Sequence, residues 1–185
     1  DRYYPTAAGV ARSFNYYPVG PMVPTEGIAA VALGLGKTVA GGERCVRFSP
    51  HRPKRIYQFS SVDATLRSAQ REFWALEMRQ SEDLPLPDPE YNLLKLDLDA
   101  AEADGQLAQL ASTWDSANDR IWDGIGREGV RLVTMSGVLK RDVFPLCEIL
   151  KGLLKTCEEL IGCPVEIEFA MVLDEERQRS AYREG

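Results

Sequence analysis

Glu166 and Glu168 stand two residues apart in the run Gly162-Cys-Pro-Val-Glu-Ile-Glu-Phe-Ala170. Val165, Ile167, Phe169, Met171 and Leu173 alternate with polar positions, the pattern of a β-strand with one buried face. Both carboxylates then project from the other face, roughly 6.5–7 Å apart along the strand. Two acidic groups aimed the same way suit a divalent cation or the metal-bound phosphates of a nucleotide. On a half-exposed edge strand they serve equally well as solubilising charges, and the spacing alone leaves both readings open.

A second segment with chemical potential is Ala32-Leu33-Gly34-Leu35-Gly36-Lys37-Thr38, which follows the apolar run Ile28–Leu33. It lacks the first glycine of the Walker pattern Gly-x-x-x-x-Gly-Lys-Ser/Thr. It also fails the dinucleotide fingerprint, because Val39 stands three residues after Gly36. The glycines still allow backbone close to a ligand, or a tight bend at the end of a buried strand. Lys37 offers a positive charge to a phosphate, or is a solvated strand-end cation.

Other chemistries find little support. The lone histidine, His51, sits in the polar stretch Ser49-Pro50-His51-Arg52-Pro53, and no Gly-x-Ser-x-Gly elbow accompanies it. Cys45, Cys147, Cys157 and Cys163 form no Cys-x-x-Cys pair, which argues against structural zinc and for free thiols in a reducing cytoplasm. A net charge of −6 over 185 residues argues against general nucleic-acid affinity. No apolar run approaches the roughly 18 residues of a membrane span. The first residues, Asp1-Arg2-Tyr3-Tyr4-Pro5, carry neither Met nor a signal-peptide core, and suggest a cut inside a longer protein.

The elements that must position these groups can be read from periodicity. Gly9–Phe14, Ile28–Leu33 and Cys45–Phe48 read as strands, the second buried on both faces. Tyr16–Thr25, with Pro18, Gly20, Pro21 and Pro24, is a loop. Leu66, Ala69, Phe73 and Leu76 predict a helix over Val62–Met78, and Leu107, Leu110, Trp114 and Ile121 another over Ala100–Ile125. Pro85, Pro87 and Pro89 make 81–90 extended, a possible link between subdomains. Tyr91–Leu98 and Val130–Met135 read as strands. Asp142 can cap a helix over Val143–Ile161 with a wide apolar stripe, ended by Gly162 and Pro164. The glutamate strand, Val165–Leu173, closes the pattern, followed by the polar turn Asp174-Glu175-Glu176 and a return strand that the chain omits. Trp74, Trp114 and Trp122 are expected in core or interdomain packing. The whole is an α+β domain with a mixed or antiparallel sheet flanked by helices.

The order of three pieces adds a family reading. Gly9-Val10-Ala11-Arg12-Ser13, then Ile28–Gly36 with Val39 and Gly41-Gly42, and finally Gly162–Ala170 resemble the N-terminal nucleotide-binding (ATP-grasp) domain of the phosphoenolpyruvate synthase and pyruvate phosphate dikinase family. That family has a Gly-Val-x-Phe-Ser/Thr strand, a Gly-Leu-Gly-Glu-x-Val-Val-x-Gly segment and an Asp-Ile-Glu-Trp-Ala type strand. The resemblance covers about 7–48 and 140–173 and implies the C-terminal part of a partial ATP-grasp-like domain, one fragment spanning 1–185. Residues 60–135 match nothing and read as a helical insertion.

The resemblance implies ATP and Mg²⁺ as cofactors. It places Glu168 at the metal, with Glu166, Gly34, Leu35, Gly36 and Lys37 bordering the nucleotide, and assigns no catalytic residue. It also implies partners: the other ATP-grasp half, a phosphohistidine domain and a pyruvate-binding domain, with no nucleic acid and no membrane. The expected function is phosphoryl transfer from ATP through a histidine to pyruvate, with no turnover by the isolated chain. Departures matter: Lys37 replaces the family's glutamate, Arg12 an apolar residue and Glu166 an aspartate, with Glu26 or Glu43 as conceivable substitutes for the first. A non-catalytic interaction domain of the same fold and an ATP-grasp carboxylate ligase are the alternatives.

Overall fold

A computed structural model describes residues 1–78 and 90–173. In chain order its strands are β1 (Arg2–Tyr3), β2 (Ala7–Arg12), β3 (Ile28–Ala32), β4 (Val46–Phe48), β5 (Glu72–Glu77), β6 (Leu93–Asp97), β7 (Ala111–Asp115), β8 (Arg120–Asp123), β9 (Val130–Val133) and β10 (Glu166–Met171). The helices are α1 (Lys37–Ala40), α2 (Val62–Ser68), α3 (Leu98–Ala103), α4 (Ser136–Leu139) and α5 (Leu146–Ile161).

The strands form three sheets among the described residues, ordered β1-β5-β6, β10-β2-β3-β4 and β8-β7-β9. Every pairing is antiparallel. The class is therefore α+β, although the single sheet expected from sequence is three smaller ones. One continuous core serves all of them, including Val31, Leu33, Phe73, Leu110, Met135 and Leu150.

The glutamate strand forms as its alternation dictates. Val165, Ile167, Phe169 and Leu173 pack against the core and Met171 is buried in it, while Glu166 and Glu168 are exposed. Beyond the regular ladder, Ser13 and Val165 exchange two 3.0 Å bonds, one through the Ser13 hydroxyl, and the Thr6 hydroxyl accepts the Leu173 N–H at 2.9 Å. Both ends of β10 are thus fixed to β2 and its approach. Gly162, with φ +80°, ends α5 as expected.

Several expectations need correction. The helix predicted over Val62–Met78 stops at Ser68, and β5 follows. Phe73 and Ala75 are fully buried while Glu72, Trp74 and Leu76 are not, a period of two that a short window confuses with a helix. The helix predicted over Ala100–Ile125 is the short α3 followed by the β7–β8 hairpin, whose turn carries Asp119 at φ +47°. The supposed helical insertion at 60–135 thus holds more strand than helix among its described residues.

The buried run Ile28–Leu33 is closed on only one face, since Ile28 and Ala30 are half-buried. Asp142 has φ +56° and does not cap the last helix, whose N-cap is Pro145. Of that helix's apolar stripe, Leu146, Leu150 and Leu154 are buried but Ile149, Leu153 and Leu160 are exposed. None of the tryptophans is in the core. Trp74 lies under Lys37 and Lys95, and Trp122 between Arg120 and Arg127. Most of 81–90 and the turn at 174–176 lie outside the described residues. Among the described residues no helix is long and apolar enough to cross a membrane.

Candidate functional site

The site is built on the face of the β10-β2-β3-β4 sheet that turns away from the core. Register fixes its composition in cross-strand rows. Glu166, Arg12 and Ile28 form one row; Glu168, Val10, Ala30 and Arg47 the next; Ala170, Ala8 and Ala32 the third. Adjacent rows are about 7 Å apart. The accessible floor is made of half-buried Val10 and Ala30, with Ala8 and Ala32 buried at the end of the face next to the glycine bend, and charge is confined to Arg12, Arg47, Glu166 and Glu168.

The glycine bend folds back over one end of this face. Gly34 has φ +83°, and a Cβ there would stand 2.6 Å from the Trp74 carbonyl oxygen. The Leu35 N–H donates to that oxygen at 2.9 Å, tying the bend to β5. Gly36 then comes to rest over the third row: a Cβ built on it would lie 3.9 Å from the Ala8 Cβ. Gly36 and Glu168 consequently occupy the same face in neighbouring rows, joined by the sheet although more than a hundred residues separate them in sequence.

The two glutamates have different surroundings. Glu166 forms an ion pair with Arg12, its cross-strand neighbour. Glu168 is exposed and makes no hydrogen bond or ion pair with any described residue. Arg12, which replaces an apolar residue of the resembled family, thus partly neutralises the carboxylate that replaces the family's aspartate.

Lys37 does not reach over the open face. Its ammonium pairs with Glu90 and lies 5.1 Å from the centre of the Trp74 ring. Neither conceivable substitute for the family's glutamate is available. The Glu26 carboxylate is held by Arg52 at 2.6–2.7 Å, a hydrogen bond that keeps it below the ordinary carboxylate range. Glu43 accepts from the Trp74 indole at 2.8 Å and pairs with Lys95 at 3.0 Å. Burial pushes its carboxyl up, but the bonds from Trp74 and Lys95 and the charges of Lys95 and Lys37 outweigh this and hold it low.

No cluster of three or more His, Cys, Asp or Glu side chains suited to a metal is present among the described residues. What the face offers a hard cation is one unengaged carboxylate, with a second that must leave Arg12. That donor set fits Mg²⁺, which takes one or two carboxylates and completes its shell with water and substrate phosphates. It does not fit structural zinc. His51 is exposed, with Nδ1 2.9 Å from the Glu26 carbonyl oxygen, and belongs to the loop anchoring rather than to this face.

Sequence reasoning found both glutamates and the bend and noted Arg12 as a departure, but it neither paired Arg12 with Glu166 nor brought Arg47 to this face. Arg47 is visible only once register places it in line with Glu168 across Val10 and Ala30. Comparison with protein-family models, with curated proteins and with solved structures finds no match.

Proposed function

We propose that the open face of the four-stranded sheet is the metal-bearing side of an ATP site in a phosphotransferase of the phosphoenolpyruvate synthase and pyruvate phosphate dikinase type. The observation that carries this reading is the unengaged Glu168 carboxylate sharing one sheet face with the Gly34–Gly36 bend, over a floor of small residues. Small side chains leave room for phosphates to approach the sheet, and a carboxylate on a rigid strand fixes where Mg²⁺ would sit.

In this reading Glu168 holds the cation, Glu166 joins it on release from Arg12, and the backbone of Gly34, Leu35 and Gly36 borders the nucleotide. Lys37 anchors the bend to Glu90 and Trp74. Phosphoryl transfer asks the protein mainly for positioning and charge neutralisation, and this face supplies the anionic half of that arrangement. The cationic half and the histidine that relays phosphoryl to pyruvate belong to the proposed partner domains, in a cytoplasmic multidomain enzyme.

A second reading rests on the same ion pair. If Arg12 holds Glu166 permanently, the face is a retained scaffold of a non-catalytic interaction domain. Thermal unfolding of the 185-residue chain with and without millimolar Mg²⁺·ATP separates the two. The nucleotide reading expects a raised Tm that Glu168→Gln abolishes. Absence of a shift, or one that survives Glu168→Gln, favours the scaffold.

A further inference from the structure

A cavity adjoins the same sheet face at the end away from the glycine bend: Arg12, Ile28 and Arg47 of that face line it, whereas Glu168 and the bend do not. Its volume is about 590 Å³, within the range of small-molecule sites. The loop from Phe14 to Met22 forms one wall, and Arg55, Tyr57 and Gln58 form another. Gly20, at φ +60°, lets the loop close onto Tyr57, whose hydroxyl would stand 2.8 Å from a Cβ at that position. Buried Phe48 and Met22, with half-buried Ile28, give the floor an apolar surface.

In this cavity one buried amide donor lacks a partner, and two guanidinium groups lack a described carboxylate. Asn15 is 3% exposed and lines it. Its Oδ1 accepts the Tyr17 N–H at 3.1 Å, but its Nδ2 has no hydrogen-bond partner among the described residues. A buried amide donor left unpaired is costly, and such a group is retained where something else accepts from it. Arg47 and Arg55 are exposed on the cavity wall, and neither forms an ion pair with a described carboxylate. Around them stand aromatic rings: Phe14 and Tyr16 pack edge to face at 4.9 Å, while Tyr17 is 88% exposed at the rim.

Guanidinium groups without a carboxylate partner among the described residues, stacking rings and one deep donor describe a complementary guest. We propose that this cavity binds a small planar anion, an aromatic ring bearing a phosphate or carboxylate. The ring stacks among Phe14, Tyr16 and Tyr57, a ring acceptor takes the Asn15 Nδ2–H, and the anionic group meets Arg47 and Arg55. A nucleoside monophosphate and an aryl carboxylate share that chemistry, and binding needs no divalent cation.

Calorimetric titration of the 185-residue chain with AMP and with 4-hydroxyphenylacetate, in EDTA, tests this. At least one probe is expected to bind, and adenosine or inorganic phosphate more weakly than the probe. Which of the two binds identifies the anionic group. Arg47→Gln together with Arg55→Gln should weaken binding about tenfold to a hundredfold, as loss of charge-assisted hydrogen bonds does. Asn15→Asp keeps the acceptor for Tyr17 but removes the donor and adds a negative charge, and should weaken it at least as much. Glu168→Gln should leave it unchanged, so failure of the magnesium-site reading does not remove this one. No binding of either probe, or binding indifferent to the arginine pair, overturns the proposal.

Discussion

Gln70 and Leu33 are joined by a reciprocal pair of hydrogen bonds: the Gln70 side-chain amide donates to the Leu33 carbonyl and accepts the Leu33 N–H, both at 2.9 Å. Gln70 is 2% exposed and Leu33 fully buried, so one side chain stands in for a missing strand just before the glycine bend. Gln70→Ala should cost about 2–4 kcal/mol, because it orphans two buried backbone groups. Urea denaturation measures this, and Gln70→Glu, which keeps one acceptor but no donor, should also destabilise.

The two glycines of the bend should respond differently to alanine. Gly34→Ala meets a positive φ and the Trp74 carbonyl, and should destabilise by about 1–3 kcal/mol. Gly36, at φ −59° with only Ala8 near its missing Cβ, should accept alanine within about 0.5 kcal/mol. Equal losses at both positions would mean that the bend is held by something other than the contact with β5.

Acid should unfold the protein through its paired carboxylates. The bidentate bond from Arg131, at 2.8 Å on both oxygens, holds Glu102 below its ordinary value of 4.5. Arg2, donating at 2.8 and 2.9 Å, does the same to Asp104, whose ordinary value is 3.8. A carboxyl whose value is lower folded than unfolded adds stability above the unfolded value, and that stability disappears as pH falls through the folded one. The urea midpoint should therefore be level from neutrality to about pH 5 and decline below about pH 4. Glu102→Gln should make the decline shallower, at a cost of about 1 kcal/mol at pH 7 for this partly exposed pair.

Thiol reactivity should follow burial. Burial pushes the Cys147 thiol up to about 11, with Asp142 adding to it, and raises Cys45 as well. Cys163 is exposed and Cys157 half-buried. Ellman's reagent at pH 7.5 should give a fast phase that Cys163→Ser removes, a slower one from Cys157, and Cys45 and Cys147 only on unfolding. A fast phase retained in Cys163→Ser would contradict the buried placement of the others.

What was legible from sequence is what depends on local alternation and punctuation. The last strand could be read because five apolar residues alternate over Val165–Leu173, and the end of α5 because Gly162 and Pro164 follow it closely. Phe73–Leu76 could not, since four residues fit either period until β6 and the bridge from Gln70 to Val133 select the extended form. The hairpin at Ser116–Asp119 was masked by apolar residues at helical spacing on both sides. The open face was half legible: its acids lie on one strand, but only register brings Arg12 beside Glu166 and Arg47 into line with Glu168. The aromatic cavity was invisible for the same reason, because Asn15, Arg47 and Arg55 come from separate segments whose proximity no local pattern encodes.

The pairing of Arg12 with Glu166 spans 154 positions, and its kinetic meaning concerns the ribosome. Strand β2 emerges early and can gain β3 as a neighbour soon afterwards, but its other side waits for β10, nearly the last described segment to be made. Until then a hydrogen-bonding edge and part of an apolar surface stay uncovered, the condition in which nascent chains associate wrongly. Closing so long a loop also slows the final step, so completion of this sheet should set the rate at which the protein matures.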